Sequence, residues 1–194
     1  MADTFDQKEI SSADILFVVD NSCSMGDKQT QLKNNFDQFM NVFAASGVDY
    51  NIGLITTDSY DLVGPIITPA TADPVAELVT QVDSIGVGGS TNEIGIYQSY
   101  YALQPGYPAG PGGAFWRADS RLVIIYISDE DDNSAASGVT YAMVETYVLG
   151  AKGSLDYVVA HAVAGDYPGG CTTNGGGMEA YEYYTLVTAL NGSF

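Results

Sequence analysis

Residues 13–20, ADILFVVD, decide the fold of this 194-residue chain. The apolar run from Ile15 to Val19 is continuous rather than alternating, which is typical of a strand buried on both faces of a sheet. Residues 121–128, RLVIIYIS, form a second run of this kind and give the clearest strand signal in the sequence. Parallel sheets covered by helices bury their strands in this way, so the two stretches indicate an α/β protein.

Helical and strand patterns alternate through the rest of the sequence. Residues 27–45 repeat apolar side chains at intervals of three and four, as an amphipathic helix does. Asp73 and Pro74 suit the N-cap and the first position of another helix. The further predicted strands are 50–57, 62–69 and 155–164, and the further predicted helices are 73–85, one ending near 103, 139–149 and 178–190. This order predicts a doubly wound, mainly parallel central sheet with helices on both faces.

Composition fits one folded domain with an acidic surface. Hydrophobic residues make up 46% of the chain, and no apolar run approaches the ~20 residues that cross a bilayer. The 24 acidic residues against 6 Lys+Arg give a formal net charge of -18. Such a surface repels phosphate backbones and anionic lipids, so nucleic acid and membrane surfaces are disfavoured as partners. The acidic residues are spread among apolar segments, which favours a folded domain over disorder.

Ligands of doubly wound sheets bind beyond the carboxyl ends of the strands, where the strand order reverses. The first strand ends in Asp20, followed by Ser22 and Ser24 in an Asp-x-Ser-x-Ser pattern. A glycine-rich loop supplies Thr91, and the clearest strand is followed by Asp129. We predict that these five residues form one metal site. Their donors are all hard oxygens, which favours Mg²⁺, with Ca²⁺ or Mn²⁺ as alternatives, over zinc or copper.

The three sequence pieces together resemble the metal-ion-dependent adhesion site of von Willebrand factor A-type and integrin inserted domains. The segment from Thr91 to Gly95 is similar to that family's threonine segment, with Glu93 in place of a frequent threonine. The resemblance implies that the serines and the threonine bind the metal directly, and the aspartates directly or through water. The metal would then accept an Asp or Glu carboxylate from a protein partner.

The resemblance extends over nearly the whole chain. It implies a domain at 13–194 after a lead-in at 1–12, and residues 191–194 are similar to the start of a last edge strand that would be truncated here. The sequences VVDNSCSM around Asp20 and ISDEDDNS around Asp129 are similar to those of secreted or surface A domains of bacteria. We therefore expect an extracellular, cell-surface or periplasmic location, within a larger surface protein.

Other acidic residues near the predicted site have simpler interpretations than a second metal. Asp27 is expected to cap the first helix. Glu130, Asp131 and Asp132 are expected to form a solvated acidic loop, which with Glu93 would make the rim of the metal site negative. A partner would then need basic residues around its acidic contact.

The two cysteines and the one histidine have structural interpretations. Cys23 and Cys171 fall on loops expected at the same sheet edge, which favours a disulfide and an oxidising compartment over two free thiols. His161 lies among apolar residues of a strand, as a satisfied core or interface histidine does. Tyrosines on the last helix are expected to pack while keeping their hydroxyls at solvent; they are Tyr181, Tyr183 and Tyr184.

The sequence carries no signal for an enzyme. Ser22 and Ser24 have no histidine or lysine partner within their motif, and the glycine-rich loop lacks the Gly-Lys-Ser/Thr ending of a phosphate loop. We predict a metal-dependent adhesion or protein-binding module that captures an acidic ligand. One alternative is an assembly scaffold in which the metal stabilises the loops, and another is a hydrolase that uses the metal as a Lewis acid.

Overall fold

A computed structural model describes residues 11–172 and 176–194 of the chain. Within these residues, four strands form one sheet in the order β2-β1-β3-β4, and every neighbouring pair is parallel. The strands are β1 (Ser12–Val19), β2 (Asp49–Thr56), β3 (Arg121–Ile127) and β4 (Val158–Val163). The predicted doubly wound α/β fold is confirmed, with the strand order reversing between β1 and β3.

In the part of the chain that the structure describes, five helices flank the sheet and three short 3-10 turns lie between the regular elements. The helices are α1 (Gly26–Ala45), α2 (Pro74–Ile85), α3 (Gly95–Ala102), α4 (Tyr141–Lys152) and α5 (Tyr181–Ala189), and the 3-10 turns are Cys23–Met25, Ser134–Ser137 and Leu155–Tyr157. Asp73 caps α2 as predicted, because its side chain accepts the Ala76 N–H at 2.9 Å. Asp27 lies inside the first turn of α1, so its predicted capping role is wrong. Among the described residues, no helix is long and apolar enough to span a membrane.

Each face of the sheet buries its own apolar cluster. On one face, Phe17 of β1 packs edge-on against Phe36 of α1, with ring centroids 5.7 Å apart. On the other face, Tyr126 of β3 lies 5.0 Å from Tyr183 of α5, and both rings are fully buried. Burial of one large apolar side chain contributes about 1.5–3 kcal/mol, so two such clusters hold the strand ends firmly in register.

The predicted strand at 62–69 is wrong. One antiparallel bridge is present there, in which Ile52 and Ile67 exchange backbone hydrogen bonds of 2.8 and 2.9 Å. Gly64 turns the backbone at φ +73°, and Pro65 has no N–H to donate, so the ladder cannot continue through this segment.

Two other boundaries differ from the sequence pattern. The strand predicted at 155–164 begins at Val158, because the Ser154 side chain accepts the Asp156 N–H and starts a 3-10 turn. At the end of the chain, the Ser193 carbonyl accepts the Ala162 N–H at 3.1 Å, so this residue lies alongside β4. Whether a longer edge strand continues from there stays a prediction.

Candidate metal centre

The candidate site lies at the carboxyl ends of β1 and β3. These strands are neighbours, and the Asp20 N–H donates to the Ile127 carbonyl at 2.9 Å. This backbone bond places Asp20 and Asp129 beside each other, although they are far apart in sequence. The predicted position at the reversal of strand order is therefore correct.

The Asp20 carboxylate is fully buried and holds its own loop in shape. Its Oδ1 accepts the Ser22 N–H and its Oδ2 accepts the Ser128 hydroxyl, both at 2.7 Å. Gln29 of α1 donates to the Asp20 carbonyl at 3.0 Å. Because each carboxylate oxygen has two acceptor positions, these bonds leave further lone pairs for a water or a cation.

Hydroxyl and carboxylate oxygens of the predicted ligands form a connected chain. The Ser22 and Ser24 Oγ atoms are 3.1 Å apart, and Ser24 Oγ donates to Asp129 Oδ1 at 3.1 Å. Adjacent ligands of an octahedral Mg²⁺ with bonds of ~2.1 Å lie about 3 Å apart. These three residues and the buried Asp20 therefore fit the oxygen-only donor set of a Mg²⁺-type cation.

Thr91 does not join this chain of contacts. Its side chain is exposed and makes no hydrogen bond to the described residues. Its loop is nevertheless tied to the site, because the Gly89 N–H donates to the Asn21 carbonyl at 2.8 Å and the Ser90 N–H to Asp58 Oδ2 at 2.9 Å. A side chain at Gly89 would lie 2.6 Å from Asn21, so glycine permits this close approach. The structure thus brings four of the five predicted ligands together and leaves Thr91 at the rim.

Lys28 is a member of the site that the sequence did not reveal. Its Nζ lies 2.7 Å from Asp129 Oδ2 and donates to the Ser24 carbonyl at 3.2 Å. Its spacing of four residues from Ser24, across the start of α1, was the one available signal.

Glu93 is buried below the rim, with 2% of its surface exposed. Neither carboxylate oxygen has a hydrogen-bond partner of normal geometry. Burial raises the pKa of Glu93 to about 8; the Thr57 side chain opposes this rise, and the nearby carboxylates of Asp20, Asp58 and Glu130 add to it. The expectation that Glu93 contributes to a solvated negative rim is wrong.

The acidic loop after β3 was predicted to be solvated, and this prediction is wrong for Asp132, which is buried. Asp132 is 6% exposed and accepts the N–H groups of Ile96 and Ser134, each at 2.9 Å. It therefore satisfies a backbone donor at the start of α3. Asp131 accepts the Glu182 N–H at 3.0 Å in the first turn of α5. These two residues fasten helices to the site.

A cleft of about 390 Å³ opens beside the candidate site, between α1 and the loop after β4. Lys28 and Asp129 lie in its wall. Apolar side chains in the wall come from both sides of the cleft and include Met25, Leu32, Ile127 and Val163.

Cys23 and Cys171 are free and exposed, so the predicted disulfide is absent from the structure. Cys171 exchanges two backbone hydrogen bonds with Gly177, at 2.9 and 3.0 Å. Its Sγ accepts the Asp166 N–H at 3.4 Å. The sulfur is therefore engaged within its own loop rather than with Cys23.

Thiol counting tests this arrangement. Protein purified without reductant is expected to react with a disulfide reagent at two thiols per chain before any denaturant is added, because both sulfurs are accessible. A count of zero that rises to two after reduction would restore the predicted Cys23–Cys171 bond.

The histidine and the tyrosines of α5 have mostly structural roles. His161 Nδ1 lies 2.8 Å from Ser193 Oγ and accepts the Ser193 N–H at 3.0 Å, so it is a satisfied histidine as predicted. Tyr181 and Tyr184 are partly exposed, as expected. Tyr183 is fully buried, because its ring packs on Tyr126 in the core, and the expected solvent-facing hydroxyl is wrong for this residue.

No protein-family model and no curated protein matches the sequence. Among solved structures, the chain is similar to the crystal structure of the pilus adhesin SpaC from Lactobacillus rhamnosus GG, with a TM-score of 0.47 and 16% sequence identity. The similarity covers 95% of this chain and 30% of the adhesin chain. A likeness at this level carries no functional argument, and membership of the von Willebrand A-type family stays a prediction.

Proposed function

We propose that this chain is a metal-dependent protein-binding module that captures an acidic side chain of a partner. The observation that carries the proposal is the contact chain Ser22–Ser24–Asp129 beside the buried Asp20, at the carboxyl ends of neighbouring strands. These oxygens occupy the positions of the Asp-x-Ser-x-Ser motif and of the later aspartate that the sequence resemblance picks out. Mg²⁺ is the proposed cation, and Ca²⁺ or Mn²⁺ would suit the same donors.

In the proposed mechanism, the protein residues place the oxygen ligands in position for the metal. Asp20 uses its carboxylate to hold the Ser22 N–H, which directs the two serine hydroxyls toward Asp129. Thr91 would complete the set from a rim loop that is held by Gly89. A bound dication would supply an electrophile that an outside carboxylate can approach. The proposed role is binding rather than turnover, because the carboxylate that Ser24 contacts, Asp129, is assigned to the metal.

The proposed partner is a protein with an exposed Asp or Glu and basic residues around it. Glu130 and Asp131 lie next to Asp129, and the whole chain carries a formal net charge of -18. A purely acidic partner would be repelled at long range, so its surrounding charge must be positive. We further propose that the chain acts outside the cytoplasm, as part of a larger surface protein.

The first test compares metal binding by the wild type and Ser24→Ala. Calorimetry with Mg²⁺ and Mn²⁺ is expected to give saturable binding to the wild type. Loss of the exposed Ser24 hydroxyl should weaken it by about tenfold or more, without unfolding the domain. Ser137→Ala removes an exposed hydroxyl from a 3-10 turn away from the predicted ligands and should leave the affinity unchanged.

The alternatives give different outcomes. Equal affinities for Ser24→Ala and Ser137→Ala would place the metal elsewhere and contradict the proposed site. Wild-type binding that tightens with millimolar acetate would support capture of a carboxylate. Partner binding that survives chelation would favour the scaffold, and ester or peptide turnover lost in Asp129→Ala would favour the hydrolase.

A further inference from the structure

Lys28 is a charged side chain in direct contact with a predicted ligand, and the proposed function leaves it without a role. Its Nζ lies 2.7 Å from Asp129 Oδ2, while Ser24 occupies the other oxygen of the same carboxylate. The lysine side chain is 20% exposed and the aspartate side chain 10% exposed, so this pair is screened less than an ordinary surface pair.

The ammonium group of Lys28 and a metal cation at this position would repel each other. Lys28 has three donors and no acceptor, so it cannot ligate a cation. A dication bound to Asp129 would lie within a few ångströms of Nζ and repel it. A dication at these ligands and the Lys28 ammonium would therefore compete for the charge of the Asp129 carboxylate.

We propose that Lys28 is an internal competitor for the metal: its ammonium pairs with Asp129 and lowers the affinity of the site for a dication. This inference rests on the proposed function and deepens it, because it names the residue that limits metal affinity. The path for release is present: Lys28 also lines the open cleft between α1 and the loop after β4, where its flexible side chain can turn without moving the helix.

The test measures Mn²⁺ affinity by calorimetry for the wild type, Lys28→Gln and Lys33→Gln. Lys33 lies on the same helix and pairs with the exposed Asp83, so its replacement removes the same charge away from the site. Lys28→Gln is expected to bind Mn²⁺ about tenfold more tightly than Lys33→Gln, the effect of removing one like charge at close range. Lys28→Arg keeps the charge and is expected to show no such gain.

Thermal unfolding in chelator gives a second readout that separates competition from a folding defect. Lys28→Gln should melt at a lower temperature than Lys33→Gln without metal, because Asp129 loses its cation, and should gain more on addition of Mn²⁺. Equal or weaker Mn²⁺ binding by Lys28→Gln would overturn the inference and leave the proposed function intact. Failure of every one of these proteins, including Lys28→Gln, to bind Mn²⁺ would contradict both the inference and the proposed function, since Lys28→Gln has no competitor left.

Discussion

Replacing Asp14 with alanine is expected to destabilise the protein by about 3–5 kcal/mol, because the change removes the buried carboxylate that faces the buried amine of Lys152 and the partly buried Arg117. Asp14 is fully buried in β1. Its Oδ1 accepts Arg117 Nε at 2.7 Å, and its Oδ2 accepts the Arg117 N–H at 2.8 Å and the Ser120 hydroxyl. Lys152 Nζ lies 3.9 Å from the same carboxylate.

Lys152 makes the loss of Asp14 more damaging. Its amine is buried, donates to the carbonyls of Arg117 and Ser120 at 2.6 and 2.9 Å, and lies 4.4 Å from the centre of the Trp116 ring. Burial lowers the pKa of Lys152, and Asp14 opposes this shift. Without Asp14, the cluster would hold two cationic groups and no buried carboxylate to compensate them.

Asp49→Ala is the matched control for Asp14→Ala. Asp49 pairs with the same arginine at 2.7 Å, but 64% of its side chain is exposed, so its loss should cost about 0–1 kcal/mol. Urea unfolding at neutral pH, followed by circular dichroism, measures both values. Total stabilities of about 5–15 kcal/mol are usual, so Asp14→Ala can also abolish folding at moderate temperature. Similar small losses in both variants would show that the buried cluster does not stabilise the fold.

The sequence predicted those strands correctly that consist of a continuous apolar run. The runs in β1 and β3 each need burial on both sides, and few folds other than a covered parallel sheet provide this. The segment at 62–69 has a similar apolar content, but Gly64 and Pro65 interrupt the backbone ladder. The failed strand therefore follows from backbone hydrogen bonding, which apolar periodicity does not report.

The candidate site was predictable to the extent that its residues fall at strand ends. Asp20 and Asp129 follow directly from the ends of neighbouring strands. The contacts of Lys28 and Glu93 depend on how α1 and the glycine-rich loop pack over those ends, which no local pattern encodes. The role of Asp14 could not be predicted either, because its partner Arg117 lies about a hundred residues further along the chain and only tertiary packing brings the two together.

Replacing Glu93 with glutamine is expected to stabilise the protein by about 3–5 kcal/mol at pH 8 in the presence of a chelator. The pKa of Glu93 is raised from 4.5 to about 8 in the folded state, because burial outweighs the opposing effect of the Thr57 side chain and the carboxylates of Asp20, Asp58 and Glu130 add to the rise. Each unit of difference between folded and unfolded pKa corresponds to about 1.4 kcal/mol. The glutamine keeps the size of the side chain and removes its ionisation.

The pH dependence fixes the sign of this effect. Between pH 4.5 and about 8 the folded protein keeps a proton on Glu93 that the unfolded chain has lost, so this residue makes stability fall as pH rises. Burial also raises the pKa of Glu130, Asp132 and Glu182, and these residues add to the same trend. Glu93→Gln should therefore reduce the slope in this range without abolishing it.

Urea unfolding from pH 5 to pH 8.5 measures the slope for the wild type, Glu93→Gln and Glu145→Gln. Glu145 lies on α4, so its replacement removes one acidic charge away from the site. Near pH 5 the two variants should differ little in free energy of unfolding, because Glu93 is protonated in the folded protein. Toward pH 8 Glu93→Gln should become the more stable of the two, because ionised Glu93 would either stay buried or open its loop. A destabilised Glu93→Gln at pH 8 would mean that the ionised carboxylate has a donor or cation in solution, and burial without a partner would be the wrong description of this residue.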